Sequence, residues 1–347
     1  MFLEGADKLL TNKGGKRMND IKSYVEDPEL KKKLQESMRG ELKYSLLNDF
    51  LAKYAMQNDL YALQGLLAAL LRVRQEEITD IQVLNPIEPA EAVNDKTCIL
   101  DLKLELNHKI INIEIQNTYQ EFWPERSLTY LCRVFDHLQS GEGYEKIRPC
   151  IHIGIMSTDL FAKEDPRYTG EFYSEYELLN IRTGTGYTGK FGIRVVSLNH
   201  LEDADEIDKK TANGLYYWAK LFKARTWEEL RSIAEENPSM ESYIGTVRKL
   251  TAEEKVLQAC EARRRYNTEM ATYNGLLANV QQKLEKKEEE LAVKEEALGI
   301  AEERLDSTEK KLDSTEKKLD SAQKELDSKN QQIDDLLQEI ARLQAKR

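Results

Sequence analysis

Two short segments of strictly alternating polarity, Ile99-Leu100-Asp101-Leu102-Lys103-Leu104-Glu105-Leu106 and Ile110-Ile111-Asn112-Ile113-Glu114-Ile115-Gln116, constrain this chain more than any other feature. Each reads apolar, polar, apolar, polar, the period of a strand with one buried face. Asn107-His108-Lys109 is a turn-sized polar break, so the two segments are predicted to pair as an antiparallel hairpin, although the turn lacks the usual glycine. Leu100, Leu102, Leu104 and Leu106 share one face, as do Ile111, Ile113 and Ile115. If both apolar faces enter one core, Asp101 and Glu114 emerge together on the other side. Two carboxylates on rigid strands suit a hard divalent cation. The same alternation also describes an ordinary amphipathic hairpin that shows water whatever polar residues it has.

The rest of the composition narrows the class. With 347 residues, 33% of them charged and 40% hydrophobic, the chain can hold one large domain with extensions or two domains. No apolar run is long enough to span a bilayer, and Met1 to Gly15 lacks the basic start and apolar stretch of a secretory signal. Cys98, Cys132, Cys150 and Cys260 are scattered, with no metal-binding spacing, and read as reduced thiols of a cytoplasmic protein. The net charge is −11; residues 251–347 hold 18 basic and 22 acidic residues, a balance of −4 that leaves −7 for the remainder. Bulk charge therefore disfavours non-specific nucleic-acid binding. Any such site must be a local basic strip, or an acidic pocket neutralised by metal.

Along the chain, residues 1–39 read as a lead-in with a short helix near 18–35. Helices are predicted over Leu42 to Tyr54 and Leu60 to Leu71, and strands over Ile78 to Leu84 and Ile151 to Met156. Between them Glu121 to Gln139 reads as a helix with Leu128, Leu131, Val134, Phe135 and Leu138 buried. Its opposite stripe carries Arg126, Tyr130, Arg133 and His137, candidates for phosphate contact or simply an exposed polar face. Glu171 to Ile181 and Phe191 to Leu198 form a predicted long hairpin around a glycine-rich turn. Its glycines open no helix, which excludes a dinucleotide loop; Tyr168, Arg182 and Lys190 lie in or beside it. Residues 201–275 read as successive helices. Alternating strands and helices make the class α/β (α+β).

From residue 277 an aliphatic recurs every seven residues: Leu277, Leu284, Leu291, Leu298, Leu305, Leu312, Leu319, Leu326, Ile333 and Ile340. Such a strict heptad predicts a left-handed coiled coil over 276–347, read as a parallel homodimer through the heptads of 277–343. The second seam is weak, with Lys287, Lys294, Thr308, Thr315 and Lys329 among its members, so a lone charge-stabilised helix is the competing reading.

A longer succession now stands out: Asn48-Asp49-Phe50-Leu51-Ala52-Lys53-Tyr54, a Leu-rich helix, Asn94 to Asp101, Ile111 to Gln116, Arg126 to Tyr130, and Gly143-Tyr144-Glu145-Lys146-Ile147-Arg148-Pro149 leading into a strand. Over roughly residues 40–275 this resembles the recombination-promoting nuclease and transposase family, a branch of the PD-(D/E)xK nuclease superfamily. The resemblance extends to Leu250-Thr251-Ala252-Glu253-Glu254-Lys255 and leaves the heptad tail outside. It implies a restriction-endonuclease-like mixed sheet flanked by helices over 40–200, with 201–275 as its helical end.

By that resemblance Asp101 and Glu114 are the catalytic strand acids, and Gln116 stands where the superfamily usually has lysine. Asp49 and Lys53 match a first-helix Asp-x-x-x-Lys site, with Ala52 in place of an expected phenylalanine. The implied activity is metal-dependent DNA endonuclease hydrolysis, with Asp101, Glu114 and the Ile115 carbonyl binding Mg²⁺ (or Mn²⁺ or Ca²⁺). Gln116 can orient a water but is no practical base, so Lys103, on the face of Asp101, is the expected substitute cation. The competing function is an inactive nuclease-like docking module dimerised by its tail.

Overall fold

The structure, a computed structural model, describes residues 28–87, 89, 101–136, 138, 141–210, 214–235 and 237–344. Ile99, Leu100, Cys98 and His137 lie outside the described residues, as does most of the predicted lead-in. The chain divides into two compact units, Met1–Ala271 and Thr272–Arg347.

The first unit is built on a six-stranded mixed sheet in the order β1-β2-β3-β4-β6-β5. Strands β1 (Ile81–Val83), β2 (Leu102–Leu106) and β3 (Lys109–Gln116) form an antiparallel meander. Strands β4 (Cys150–Met156) and β6 (Phe191–Ser197) run parallel to β3, and β5 (Tyr173–Glu177) returns antiparallel along β6. The predicted hairpin forms, with Leu102 opposite Ile113 and Leu106 opposite Lys109. Asn107 and His108 both adopt positive φ, 47° and 63°, the backbone that a two-residue turn on right-twisted strands requires. The missing glycine is offset by the Asn107 side chain. Its Oδ1 accepts from the Thr79 and Asp80 amides, and its Nδ2 donates to the Glu77 carbonyl at 2.7 Å.

One face of the sheet carries Ile81, Val83, Leu102, Leu104, Leu106, Ile111, Ile113, Ile153, Ile155 and Val196 into the main core. Against it pack α2 (Asp49–Asn58), α3 (Leu60–Leu70), α6 (Leu215–Lys223), α7 (Trp227–Ala234) and α8 (Pro238–Leu250). Helix α1 (Pro28–Ser37) lies against α8, and α5 (Glu206–Lys210) precedes α6. Helix α2 begins later than the predicted Leu42, because Asn48 caps it by accepting from the Leu51 amide at 3.0 Å.

The opposite face is not open to water, which corrects the one-sided hairpin expected from the alternation. Helix α4 (Trp123–Phe135), the crossover between the parallel strands β3 and β4, lies over it. Trp123, Ser127 and Leu131 are its buried residues, whereas Leu128 is 46% exposed. The expected stripe thus holds at Leu131, with Val134 and Phe135 packed beside it, and fails at Leu128, while Arg126 and Tyr130 are turned toward the sheet. The described Cys132, Cys150 and Cys260 are free; burial pushes Cys150 up to about 11 and Cys260 to about 12, so both buried thiols stay protonated.

Helix α9 (Glu254–Gln344) supplies all of the second unit's described structure. Its heptad aliphatics, Leu277 to Ile340, are 47–71% exposed, and its polar faces carry i,i+4 pairs such as Asp306–Lys310 and Asp313–Lys317. Among the described residues no helix is long and apolar enough to cross a membrane.

In the first unit α3 and α8 approach so closely that a Cβ on Gly65 would stand 2.4 Å from Ser239 Cβ. Gly65→Ala gains about 1 kcal/mol of helix propensity but overpacks this contact, at a typical cost of ~1–3 kcal/mol. We expect a lower urea midpoint for Gly65→Ala and recovery in the double variant Gly65→Ala/Ser239→Gly. An unchanged midpoint in the single variant would count against the close approach.

Candidate active site

Strand β3 runs on past its last pair with β2, Ile113 with Leu102, so Glu114 to Gln116 have β4 but no paired β2 residue beside them. Asp101 sits immediately before β2 at this point, held by a side chain acting as a surrogate strand. Asn85 Nδ2 donates to the Asp101 carbonyl and Asn85 Oδ1 accepts from the Lys103 amide, both at 2.8 Å. The period of two then places Asp101, Lys103 and Glu105 of one strand, and Asn112, Glu114 and Gln116 of the next, on the α4 side. Asn112 Nδ2 lies 3.3 Å from Asp101 Oδ2, which fixes the two sets on one face.

Both carboxylates are buried, Asp101 7% and Glu114 3% exposed. Burial and then the Glu114 charge raise the Asp101 pKa to about 6, with Asn112, His152 and Arg126 opposing. Arg126 from α4 supplies the local countercharge: its Nη2 stands 2.9 Å from Glu114 Oε1. The guanidinium also donates from Nε to the Tyr130 hydroxyl at 3.2 Å and from Nη1 to the Gln120 side chain. Burial disfavours this charge, but Glu114, Tyr130 and Asp101 outweigh that and raise the Arg126 pKa. Glu114 Oε2 is buried without a hydrogen-bond partner.

Helix α4 can come this close because β4 has a glycine there. Gly154 lies opposite Glu114 in the β3–β4 register, and a Cβ on it would stand 2.4 Å from Trp123 Cζ2. The next strand position with the same orientation that faces Asn112 is His152, fully buried beneath the Trp123 and Tyr130 rings.

The other expected site residues fall in several places. Gln116 is on the correct face, but its amide nitrogen donates to the Thr118 carbonyl at 2.7 Å. Lys103 shares the face; burial lowers its pKa, the Arg148 charge adds to that shift, and the Cys150 sulfur beside it opposes it. The Ile115 side chain packs on the opposite core, so only its carbonyl is available to the site. Tyr130 joins the cluster through Arg126, whereas Arg133 is exposed on the outer side of α4. Asp49 is held by Arg263 of α9, with Nη2 to Oδ2 at 2.6 Å, and Lys53 is buried in α2. Sequence reasoning passed over His152 and gave Asn112 no role. The available signal was a single imidazole inside the otherwise apolar strand Cys150–Met156.

The family model of PD-(D/E)XK nuclease family transposases matches residues 46–274. The chain belongs to this family. Comparisons with curated proteins and with solved structures found no match. The PD-(D/E)XK match takes in the whole sheet, the carboxylate cluster and helices α2 to α8, and stops short of the heptads. The mixed sheet flanked by helices is consistent with the restriction-endonuclease-like fold. PD-(D/E)XK nucleases typically use divalent metal ions. Among the described residues no group of three His, Cys, Asp or Glu side chains is arranged to hold one. The donor set that remains fits a hard ion through carboxylates: two buried acids repel each other, and one of their oxygens lacks any partner.

The raised Asp101 pKa makes a stability prediction. Its folded value of about 6 lies above the ordinary 3.8, so its contribution favours folding below pH 3.8 and is lost as pH rises through 6. In the absence of added metal, Asp101→Asn should be more stable than the wild type at pH 8, by on the order of 1–3 kcal/mol. That advantage should shrink to nothing by pH 4. Chemical denaturation at the two pH values checks this; equal stability of both proteins at pH 8 would refute it.

Proposed function

We propose that this chain is a metal-dependent DNA endonuclease that hydrolyses phosphodiester bonds, making breaks that promote recombination or act against foreign DNA. The observation that carries this reading is the convergence of Asp101 and Glu114 on one buried face beside Arg126, within a chain of the PD-(D/E)XK family. Asp101, Glu114 and the Ile115 carbonyl would hold Mg²⁺, Mn²⁺ or Ca²⁺. When bound, such an ion supplies a water activated near neutral pH and charge for the developing oxyanion.

The remaining duties fall to side chains of this chain. Arg126 neutralises Glu114 in the ion-free state, and its forked donors suit a phosphate oxygen once Glu114 is otherwise engaged. Tyr130 and Gln120 hold the guanidinium at the mouth of the site. Gln116 ends β3 on the face of the two acids, where its amide could orient a water but would take no proton. Lys103 shares the strand face of Asp101 and would have to swing from Cys150 and Arg148 toward the acids to assist the reacting water. The proton of the reacting water would pass to a substrate phosphate oxygen, since an ammonium has no lone pair to take it.

The exposed heptads favour self-association through 277–343, since ten aliphatic positions of one stripe are left in water by a lone helix. A parallel dimer would hold two sites for the two strands of a duplex. The same tail also suits the second reading, an inactive nuclease-like module used for docking.

Plasmid cleavage separates them. We expect nicking that depends on Mg²⁺ or Mn²⁺, is lost in Asp101→Ala and Glu114→Ala, and falls far more than DNA affinity does in Lys103→Ala. Full activity in Lys103→Ala would remove that residue's role, and no cleavage with any ion would favour the docking module. A chain shortened to end near Gly275 should still nick but lose concentration-independent double-strand breakage, measured as the ratio of linear to nicked product. An unchanged ratio would exclude a role for the tail in pairing the sites.

A further inference from the structure

Between the two carboxylates lies a connected strip of polar side chains that neither the strand acids nor Arg126 explains. Asn112 of β3 faces Asp101 on one side and His152 of β4 on the other, at 3.3 Å to Asp101 Oδ2 and 3.1 Å to His152 Nδ1. Both contacts are made by the same amide nitrogen, which has two hydrogens and no acceptor capacity. The hydrogen-bond network thus assigns Nδ1 of His152 as an acceptor and places the proton of the neutral ring on Nε2. The opposite amide orientation would press the Asn112 carbonyl oxygen against the Asp101 carboxylate. His152 Nε2 in turn stands 3.5 Å from Glu114 Oε2, and both atoms are buried with no hydrogen-bond partner of their own. The ring is fully buried, with the Trp123 and Tyr130 centroids 5.6 and 6.3 Å away.

We propose that Asn112 and His152 are positioning residues that tie the two carboxylates into one unit. Asn112 orients Asp101 and fixes the imidazole tautomer, and the His152 Nε2–H, 3.5 Å from Glu114 Oε2, is the donor nearest that orphaned oxygen. Glu114 then presents Oε1 to the mouth of the site, where Arg126 holds it and where a bound ion would take it over. The proton on Nε2 also decides against His152 as a direct ligand: Nε2 has no free lone pair in this tautomer, and the lone pair on Nδ1 is engaged by Asn112. Partners of this kind, which touch ligands rather than the ion, commonly change ion affinity by roughly 10–100-fold when removed. The proposal rests on the nuclease reading and deepens it.

The test uses the full chain and Ca²⁺ as the probe. Long-range ¹H–¹⁵N spectra of the imidazole should show His152 protonated at Nε2 both without and with Ca²⁺. Calorimetric Ca²⁺ affinity should fall by roughly 10-fold or more in His152→Leu and in Asn112→Leu. His152→Gln, which keeps an N–H donor near Glu114, should recover part of the loss, and does so measurably even if His152→Leu fails to fold. A proton on Nδ1, or loss of the Nε2 proton on adding Ca²⁺, would overturn the assignment and make His152 a ligand instead. Unchanged Ca²⁺ affinity in the folded variants of a chain that binds Ca²⁺ and cuts DNA would overturn the positioning role alone. A wild-type chain that neither binds Ca²⁺ nor cuts would overturn the nuclease reading and this role with it.

Discussion

Two carboxylates taken out of water side by side set the terms for everything around them in the first unit. A lone buried carboxylate is tolerated only when it is paired, hydrogen-bonded or neutralised, and here two stand on adjacent strands with Asp101 driven to about 6. Arg126 is the group that makes the arrangement tenable: removing one partner of a buried ion pair costs on the order of 3–5 kcal/mol, less here because a third of its side chain is exposed. To bring Arg126 to Glu114, helix α4 must lie close on the sheet, and that requires the bare backbone of Gly154 beneath Trp123. The 117–122 loop is fixed in turn by the bond from Arg126 to Gln120. One charge requirement thus orders a strand, a helix and a loop.

The hairpin, the central strand at Cys150–Met156, the long β5–β6 hairpin and the helical character of the tail were all legible, because each is a local period or a local turn. What was not legible is how a second layer meets the first. Alternation in β2 and β3 says that one face is apolar; it does not say whether the other faces solvent or a helix. On α4 the aliphatic stripe holds at Leu131, Val134 and Phe135 but not at Leu128; toward the helix start the sheet beneath offers acids and a glycine, so Trp123 and Ser127 turn inward and Arg126 follows them. The start of α2 was misread for a smaller reason. Leu42, Leu46 and Leu47 supply apolar residues without helix, and the cap at Asn48 sets the boundary.

The candidate site divides along the same line. Asp101 and Glu114 followed from the period of two and a hairpin register, and Arg126 from helix spacing. His152 and Asn112 are invisible to such reasoning because their contacts run across strands brought together by a crossover of more than thirty residues. Asp49 shows what packing adds to spacing. Its spacing to Lys53 fits a motif, yet its carboxylate is held by Arg263, which lies more than two hundred residues away in sequence. Spacing proposes partners within an element; only the packing of elements assigns them.

The charge of the site bears on how an acidic chain can act on DNA. Asp101 and Glu114 with Arg126 leave the buried cluster one negative charge in excess above pH 6, and a phosphodiester would bring another. Bulk electrostatics does not help, since the whole chain carries −11. Under the nuclease reading the sign is reversed locally: a divalent ion on the two carboxylates makes the same cluster one charge positive, matched to one phosphate. Arg126 would then no longer be needed at Glu114 and would have its donors free for that phosphate. Substrate binding and ion binding would therefore be coupled through one guanidinium, because each removes the repulsion that opposes the other. In this chain affinity for DNA would be a property of the loaded site rather than of the surface.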